Sequence, residues 1–396
     1  MTTSLLVGDC RSVLPTLPAG SVHCVVTSPP YFGLRDYGVA GQLGLEPTPD
    51  EYVAALVGVF RDVRRVLRAD GVLWLNLGDS YASGEIGRHD GGHTFKDTYE
   101  RKAFGNRKQQ RLQTGLKPKD LLGIPWRVAF ALQADGWYLR QDIIWSKPNP
   151  MPESVRDRCT KAHEYLFLMS KSERYYYDAE AIAEPFADGR LGNPGNYSNG
   201  YSDGAGRKDG ATLGVEWLKG ADRSGRNRRS VWEIATQPYA DAHFATFPPA
   251  LIEPCILAGT SEKGCCAKCG VPWVREVERT RTNQSGSGRA GNPPEGKGGP
   301  NAQHAGTMQD IRMGPTISTE TLGWSPSCSC NAAVVPCTVL DPFGGAGTTG
   351  LVADRLQRNA VLIELSPAYA NMAEGRIKGD APLFADINPL MTEVPA

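Results

Sequence analysis

The feature that most constrains this 396-residue chain lies between Val335 and Glu364. The apolar run Val335-Pro-Cys-Thr-Val-Leu-Asp341 leads into a glycine-rich turn. A segment of helical spacing from Thr348 to Leu356 follows, and then a second apolar run, Ala360-Val-Leu-Ile-Glu364. Strand, helix and strand in that order make a crossover unit with parallel strands, and a parallel sheet must be covered by helices on both faces. The expected class is therefore α/β, with a nucleotide-type (Rossmann-like) sheet.

More of that sheet is legible upstream. Val22-His-Cys-Val-Val26 is a β-branched run suited to a buried strand, and Leu56, Phe60, Val63 and Leu67 fall near helical spacing within Tyr52 to Leu67. Asp70-Gly71 is expected to break that helix before the strand Val72 to Leu77. Pro125 to Leu132 reads as a helix, and Trp137 to Trp145 with His163 to Ser170 as two strands of a hairpin. Three stretches rich in Gly, Ser, Asn and Arg, at 83–118, 187–230 and 279–325, read as loops or insertions. With 40% hydrophobic and 22% charged residues the composition is that of a soluble globular protein, and no apolar run nears the ~18 residues of a membrane span. No leader pattern is evident at the start, so a cytoplasmic location is expected. The formal net charge of zero means that any nucleic-acid surface must be a local basic patch.

Two motifs carry chemistry. In Asp341-Pro-Phe343-Gly-Gly345-Ala-Gly347-Thr348-Thr349 the glycines permit close backbone approach, and the helix start offers N–H groups to an anionic ligand group. Glu364 ends the next strand, where a carboxylate accepts from ribose hydroxyls. No Gly-Lys-Ser/Thr follows the turn, which excludes a Walker loop. In Thr27-Ser28-Pro29-Pro30-Tyr31, two prolines just past a strand end remove N–H donors and leave carbonyl acceptors rigidly aimed. A ring amine is a poor nucleophile because its lone pair is delocalised. The Ser28 hydroxyl and the Pro29 carbonyl suit the task of holding its hydrogens, and Tyr31 offers an aromatic face on which to stack a base.

Together these motifs resemble the S-adenosylmethionine-dependent DNA amino-methyltransferases, whose catalytic motif is Asp/Asn/Ser-Pro-Pro-Tyr/Phe and whose cofactor loop is Phe-x-Gly-x-Gly. With the catalytic motif ahead of the cofactor loop, the order resembles the permuted β group. The resemblance implies methyl transfer to an exocyclic amine of a base flipped from double-stranded DNA, with Ser28, Pro29, Pro30 and Tyr31 catalytic. It also implies that Asp341, Phe343, Gly345 and Gly347 shape the cofactor site, that Thr348 and Thr349 lie near the cofactor carboxylate, and that Glu364 holds the ribose. Asp9 is similar to the family's adenine-binding acidic position, Asp79 falls where the family lines its pocket, and 243–248 looks like the segment beside the methionine moiety. Ser-Pro-Pro-Tyr is commoner in the cytosine-N4 branch than in the adenine-N6 branch, so cytosine is favoured and adenine stays open. So do an RNA or protein substrate and a non-catalytic zinc and DNA-binding module. A separate cognate restriction endonuclease is a natural partner; no segment looks large enough to house a fused one. Pro254-Cys255 and Pro336-Cys337 lie away from the Ser28 strand end and are expected to be core or strand residues, which speaks against a cysteine-nucleophile route.

Ten cysteines in a reducing compartment point to metal before disulfides. Cys266-x-x-Cys269-Gly and Cys328-x-Cys330 are expected to hold a structural zinc, with Cys265 the spare. Arg101, Lys102, Arg107, Lys108, Arg111, Lys117 and Lys119 form one basic run and Arg223, Arg226, Arg228 and Arg229 another; both suit DNA phosphates, and Lys147 and Asn149 lie in a segment (145–150) that resembles a family segment near the pocket, which implies that they face the DNA. The organisation expected is a catalytic half (1–82), a basic insertion (83–118), the domain continued (119–186) and a target-recognition loop (187–230). A cofactor-side helix (231–260), a cysteine-rich zinc insertion (261–330) and a cofactor half (331–396) complete it.

Overall fold

The computed structural model describes residues 1–34, 41–82, 116–184, 226–237, 247–282, 316–380 and 386–391. Its chain order is β1 (Thr2–Val7), α1 (Cys10–Val13), β2 (Val22–Thr27), α2 (Pro49–Val66), β3 (Leu67–Leu77), α3 (Ile124–Ala134), β4 (Tyr138–Ser146), β5 (His163–Ser170) and β6 (Val231–Glu233). Then come α4 (Pro249–Gly259), β7 (Cys265–Cys266), β8 (Val274–Thr282), β9 (Thr316–Ser325), β10 (Val334–Val335), β11 (Thr338–Asp341), α5 (Thr348–Arg355), β12 (Asn359–Glu364), α6 (Pro367–Asp380) and β13 (Asp386–Met391).

The chain divides into two compact units. The larger (1–181, 229–273 and 326–396) holds a nine-stranded sheet in the order β13-β1-β12-β11-β2-β3-β5-β4-β6. Every pairing from β13 to β3 is parallel; β5 alone runs against its neighbours. Successive strand residues serve opposite faces. Leu6 and Ile363 join the core beneath α2 and α3, with Leu56, Phe60, Val63, Val128 and Leu132. Their neighbours Leu5 and Leu362 pack with Leu351, Ala370 and Ile377 of α5 and α6. The expected α/β sheet with helices on both faces is what forms.

Local chemistry explains the element ends. Thr48 caps α2 by accepting from Glu51 N–H at 3.2 Å, Pro49 opens the helix, and Asp50 and Glu51 sit at its positive end. The expected break at Asp70-Gly71 is corrected: β3 begins at Leu67, directly after α2. Leu67 is wholly buried and pairs with Val22, the register shifts before Cys24 meets Val72, and Arg68 ion-pairs with Asp70 at 2.8 Å. Gly71 thus sits within the strand, where a Cβ would lie 2.6 Å from the Leu67 side chain. The expected single strand Val335 to Asp341 is two: β10 pairs with β7, and only β11 enters the large sheet.

The smaller unit (182–228 and 274–325) contains the antiparallel hairpin β8–β9, in register from Val274 opposite Ser325 to Thr282 opposite Thr316. This corrects the reading of 279–325 as loop throughout; alternating Arg and Thr at 279–282 carried the strand period there, while glycines dominated the composition of the stretch. Arg275 stacks over Trp324 at 4.4 Å, and Glu184 ion-pairs with Arg226 at 3.1 Å. No described helix is long and apolar enough to cross a membrane.

Candidate active site

Parallel pairing aligns the carboxyl ends of six adjacent strands, the edge at which open α/β sheets bind ligands. Val7 lies opposite Glu364, and Asp341 opposite Leu362. From this edge emerge Gly8-Asp9 after β1, Ser28 to Tyr31 after β2, Gly78-Asp79 after β3, the turn 342–347 after β11, and Glu364 itself. Because β5 is reversed, its start brings Glu164 to the same edge, beside the end of β4 and Lys147.

On the cofactor-loop side, the backbone does the shaping. Gly344 N–H donates to Ile363 O at 2.8 Å and Gly347 N–H to Gly344 O at 2.8 Å, closing the turn. Gly347 has φ +75° and is the N-cap of α5; a Cβ there would stand 2.7 Å from Ala373 Cβ of α6, so sterics and backbone both call for glycine. The Glu364 carboxylate accepts from Gly345 N–H at 2.7 Å and Ser366 N–H at 2.8 Å, and burial raises its pKa. Asp341 is fully buried: it accepts from Thr27 Oγ1 (2.6 Å), Thr349 Oγ1 (2.7 Å) and Phe343 N–H (3.0 Å). Burial pushes its carboxyl up to about 6 against those donors. It therefore ties β2, β11 and α5 together from behind the turn. Thr348 is buried too, with its hydroxyl accepting from Arg376 at 2.8 Å. Asp9 caps α1 and pairs with Arg11; burial pulls its carboxyl up, but the hydrogen bonds and charge of Arg11 outweigh that and leave it below the usual range.

On the Pro-Pro-Tyr side, side chains from four strands converge. The Tyr31 hydroxyl lies 3.2 Å from Ser28 Oγ, 3.0 Å from Asn76 Oδ1 and 2.6 Å from Glu164 Oε2. A phenol has one proton, and the shorter contact to a charged acceptor takes it; Ser28 then donates to the phenol oxygen. Glu164 in turn pairs with the Lys147 ammonium, which sits 4.3 Å above the Trp145 ring. Burial, then the neighbouring Glu164 charge, holds Tyr31 well above the ordinary phenol range. Its ring lies flush on Gly78, where a Cβ would be 2.5 Å from Tyr31 Cε2. Tyr52 donates to Pro30 O at 2.8 Å, while among the described residues no donor is bonded to the carbonyl of buried Pro29.

Comparison with known proteins decides what this edge belongs to. The N6/N4 methyltransferase family, described as DNA methylase, matches residues 22–267 and 337–375. The chain belongs to this family. It is 40% identical to the type II methyltransferase M.SmaI of Serratia marcescens over 375 residues, covering 94% of this chain and 90% of that one. It is likewise 40% identical to M.XycI of Xanthomonas campestris pv. cyanopsidis over 379 residues, covering 95% and 88%. In fold it is similar to the PvuII DNA methyltransferase (cytosine-N4-specific), with a TM-score of 0.50 at 16% identity over 98% of this chain and 96% of that one.

Other residues of this DNA methyltransferase fall into place around the edge. The Asp79 carboxylate receives Gly123 N–H and Ile124 N–H, both at 3.1 Å, and so caps α3. Asn149 exchanges two hydrogen bonds with the Thr236 backbone, at 3.2 and 2.9 Å. Lys117 and Lys119 ion-pair with Asp120 and Asp157; Arg101, Lys102, Arg107, Lys108, Arg111, Arg223 and 243–246 lie outside the described residues. Cys255 and Cys337 are buried away from the Ser28 edge, on α4 and directly before β11. Cys266, Cys269, Cys328 and Cys330 come together. A cleft of about 610 Å³ between α4, α5 and α6, lined by Glu253, Leu351, Arg355, Arg376 and Asp380, includes none of the strand-end residues. Sequence reasoning missed Asn76, Gly78 and Glu164. Only Gly78, a glycine directly after a strand, left a signal that could have been read.

Proposed function

We propose that this DNA methyltransferase uses S-adenosylmethionine to methylate N4 of a cytosine flipped out of the duplex. The observation that carries the reading is the hydrogen-bond chain from Ser28 through Tyr31 to Glu164. When bound, the cofactor supplies an electrophilic sulfonium methyl. The cofactor-side residues fit such a group: the start of α5 directly after the glycine turn, and a Glu364 carboxylate whose oxygens each retain capacity to accept from a ribose hydroxyl.

The chain's own residues then act by position. Ser28 donates its proton to Tyr31, so the lone pairs of its Oγ face the substrate amine. Together with the Pro29 carbonyl, it holds both amine hydrogens and favours pyramidalisation of the nitrogen. As the nitrogen gains the methyl group it must lose a proton. Ser28 can take it while passing its own to Tyr31, and Tyr31 its own to Glu164, whose negative charge Lys147 balances. A serine at the strand end favours cytosine over adenine, following the resemblance of Ser-Pro-Pro-Tyr to the N4 branch. As relatives at 40% identity are type II methyltransferases, the proposal extends to a cytoplasmic modification enzyme accompanied by a separately encoded endonuclease.

Mass spectrometry of nucleosides from DNA treated with the protein and S-adenosylmethionine tests this. N4-methylcytosine formed by the intact protein and lost in Ser28→Ala supports the reading. N6-methyladenine reverses the base, and no modified base in diverse DNAs removes the DNA reading.

A further inference from the structure

The edge of the sheet opposite the active site carries a second convergence of chain segments. β7 and β10 pair antiparallel, Cys266 opposite Val334. After β7 the chain turns tightly: Gly270 N–H donates to Cys266 O at 2.8 Å and Cys266 N–H to Val271 O at 3.0 Å, with Gly270 at φ +69°. The turn and the β7–β10 pairing thus bring the Cys266–Cys269 pair beside the segment that leads from Cys328 and Cys330 into β10. All four thiols of Cys266, Cys269, Cys328 and Cys330 lie within 4.8 Å of one another. A tetrahedral ZnS₄ site, with bonds of about 2.3 Å, needs sulfurs roughly 3.8 Å apart, a small closure from there. Cys269 is exposed and Cys328 and Cys330 half-exposed, so the cluster is not the hydrophobic burial that free cysteines usually adopt.

A neighbouring trio, His23, Cys265 and Cys337, also lies within 4.8 Å. It is not a ligand set. His23 Nδ1 accepts from Thr338 N–H at 3.0 Å, which fixes the neutral tautomer in which Nε2–H donates to Gly270 O at 2.8 Å. Neither nitrogen keeps a lone pair for a metal. His23 instead ties the cysteine turn to β2 and β11, while Arg68 of β3 donates to Cys269 O at 2.8 Å.

We propose that Cys266, Cys269, Cys328 and Cys330 bind one structural zinc ion as four thiolates. The ion clips together the two segments that lead out to and back from 274–325, and His23 and Arg68 fasten that clip to the starts of the strands whose far ends carry Ser28 and Gly78. Four protein ligands leave no open position, so the ion takes no part in methyl transfer. Residues 270–327 lie between the two ligand pairs, a long loop whose closure by metal restricts the unfolded chain.

Elemental analysis of the full-length protein, purified without chelator, tests the assignment. Expected is one zinc per chain, reduced to a small fraction in Cys269→Ser and Cys328→Ser but kept in Cys265→Ser and His23→Gln. A folded protein without zinc, iron in its place, two metals per chain, or equal loss in Cys265→Ser overturns it. Should the ligand variants fail to fold, cobalt exchange into the wild type decides instead. Thiolate-to-cobalt charge-transfer bands with the intensity of four sulfurs support the site, and their absence removes it.

Discussion

The two sides of the strand-end edge, one proposed to hold the cofactor and the other the base, handle buried polarity differently. On the cofactor side Asp341 and Glu364 are met by hydroxyl and backbone N–H donors, and burial raises both carboxyls. On the base side Glu164 is met by the Lys147 ammonium and the Tyr31 phenol. Backbone donors fix a shape, since they cannot swing away; a side-chain relay fixes a direction of proton donation, since each hydroxyl accepts from one neighbour and gives to the next. Disturbing the first should therefore appear in cofactor affinity, and disturbing the second in turnover.

The sharpest way to break this comparison is Gly78→Ala. Its Cβ would stand 2.5 Å from Tyr31 Cε2 and 2.9 Å from Cδ2, so the ring must leave its place and carry the hydroxyl away from Glu164. Misplacement by about 1 Å costs on the order of 100-fold in rate. Expected is that loss in kcat, with an unchanged cofactor Kd by calorimetry; weakened cofactor binding with intact turnover would dissolve the distinction between the two sides.

Glu364→Gln attacks the other side. A glutamine has a single carbonyl oxygen for two N–H donors, those of Gly345 and Ser366, so one of them faces an amide hydrogen instead. An unsatisfied buried donor costs about 1–3 kcal/mol, or roughly 5- to 150-fold. The loss should appear in cofactor Kd and leave kcat at saturation nearly untouched. A fall in kcat with constant Kd would show that this carboxylate serves the chemical step.

How much of this was legible in the sequence follows from the same contrast. The cofactor side is contiguous in the chain: Asp341, the turn to Gly347 and Glu364 fall within one strand–helix–strand unit, and glycine turns announce themselves by residue type. Asp341 was readable as a position, but its wholly buried bracing role was not, because Thr27 lies more than three hundred residues earlier. On the base side, Ser28 to Tyr31 were readable because prolines are conspicuous. Glu164 was not, because one glutamate in a strand looks like any other until β5 is known to run backwards and bring its start to this edge. The cysteine turn was readable from spacing, whereas the fastening by His23 depends on strand order.

The smallest expected effect is a pH dependence that sharpens the role of Asp341. Burial raises this carboxyl from 3.8 to about 6, so the fold binds its proton more tightly than the unfolded chain does. A group shifted in that direction contributes stability that is fully present below the unfolded value of 3.8 and lost as pH rises through about 6. Asp341→Asn removes this linkage along with one hydrogen-bond arrangement. As pH falls from about 7 to about 4, the unfolding free energy of the wild type should gain on that of the variant by on the order of 2 kcal/mol. Denaturant titrations of both proteins across that range measure the gap. If it stays flat, Asp341 is not a buried carboxylate bracing neighbouring strands, and the cofactor side has lost the element that sets its shape from behind.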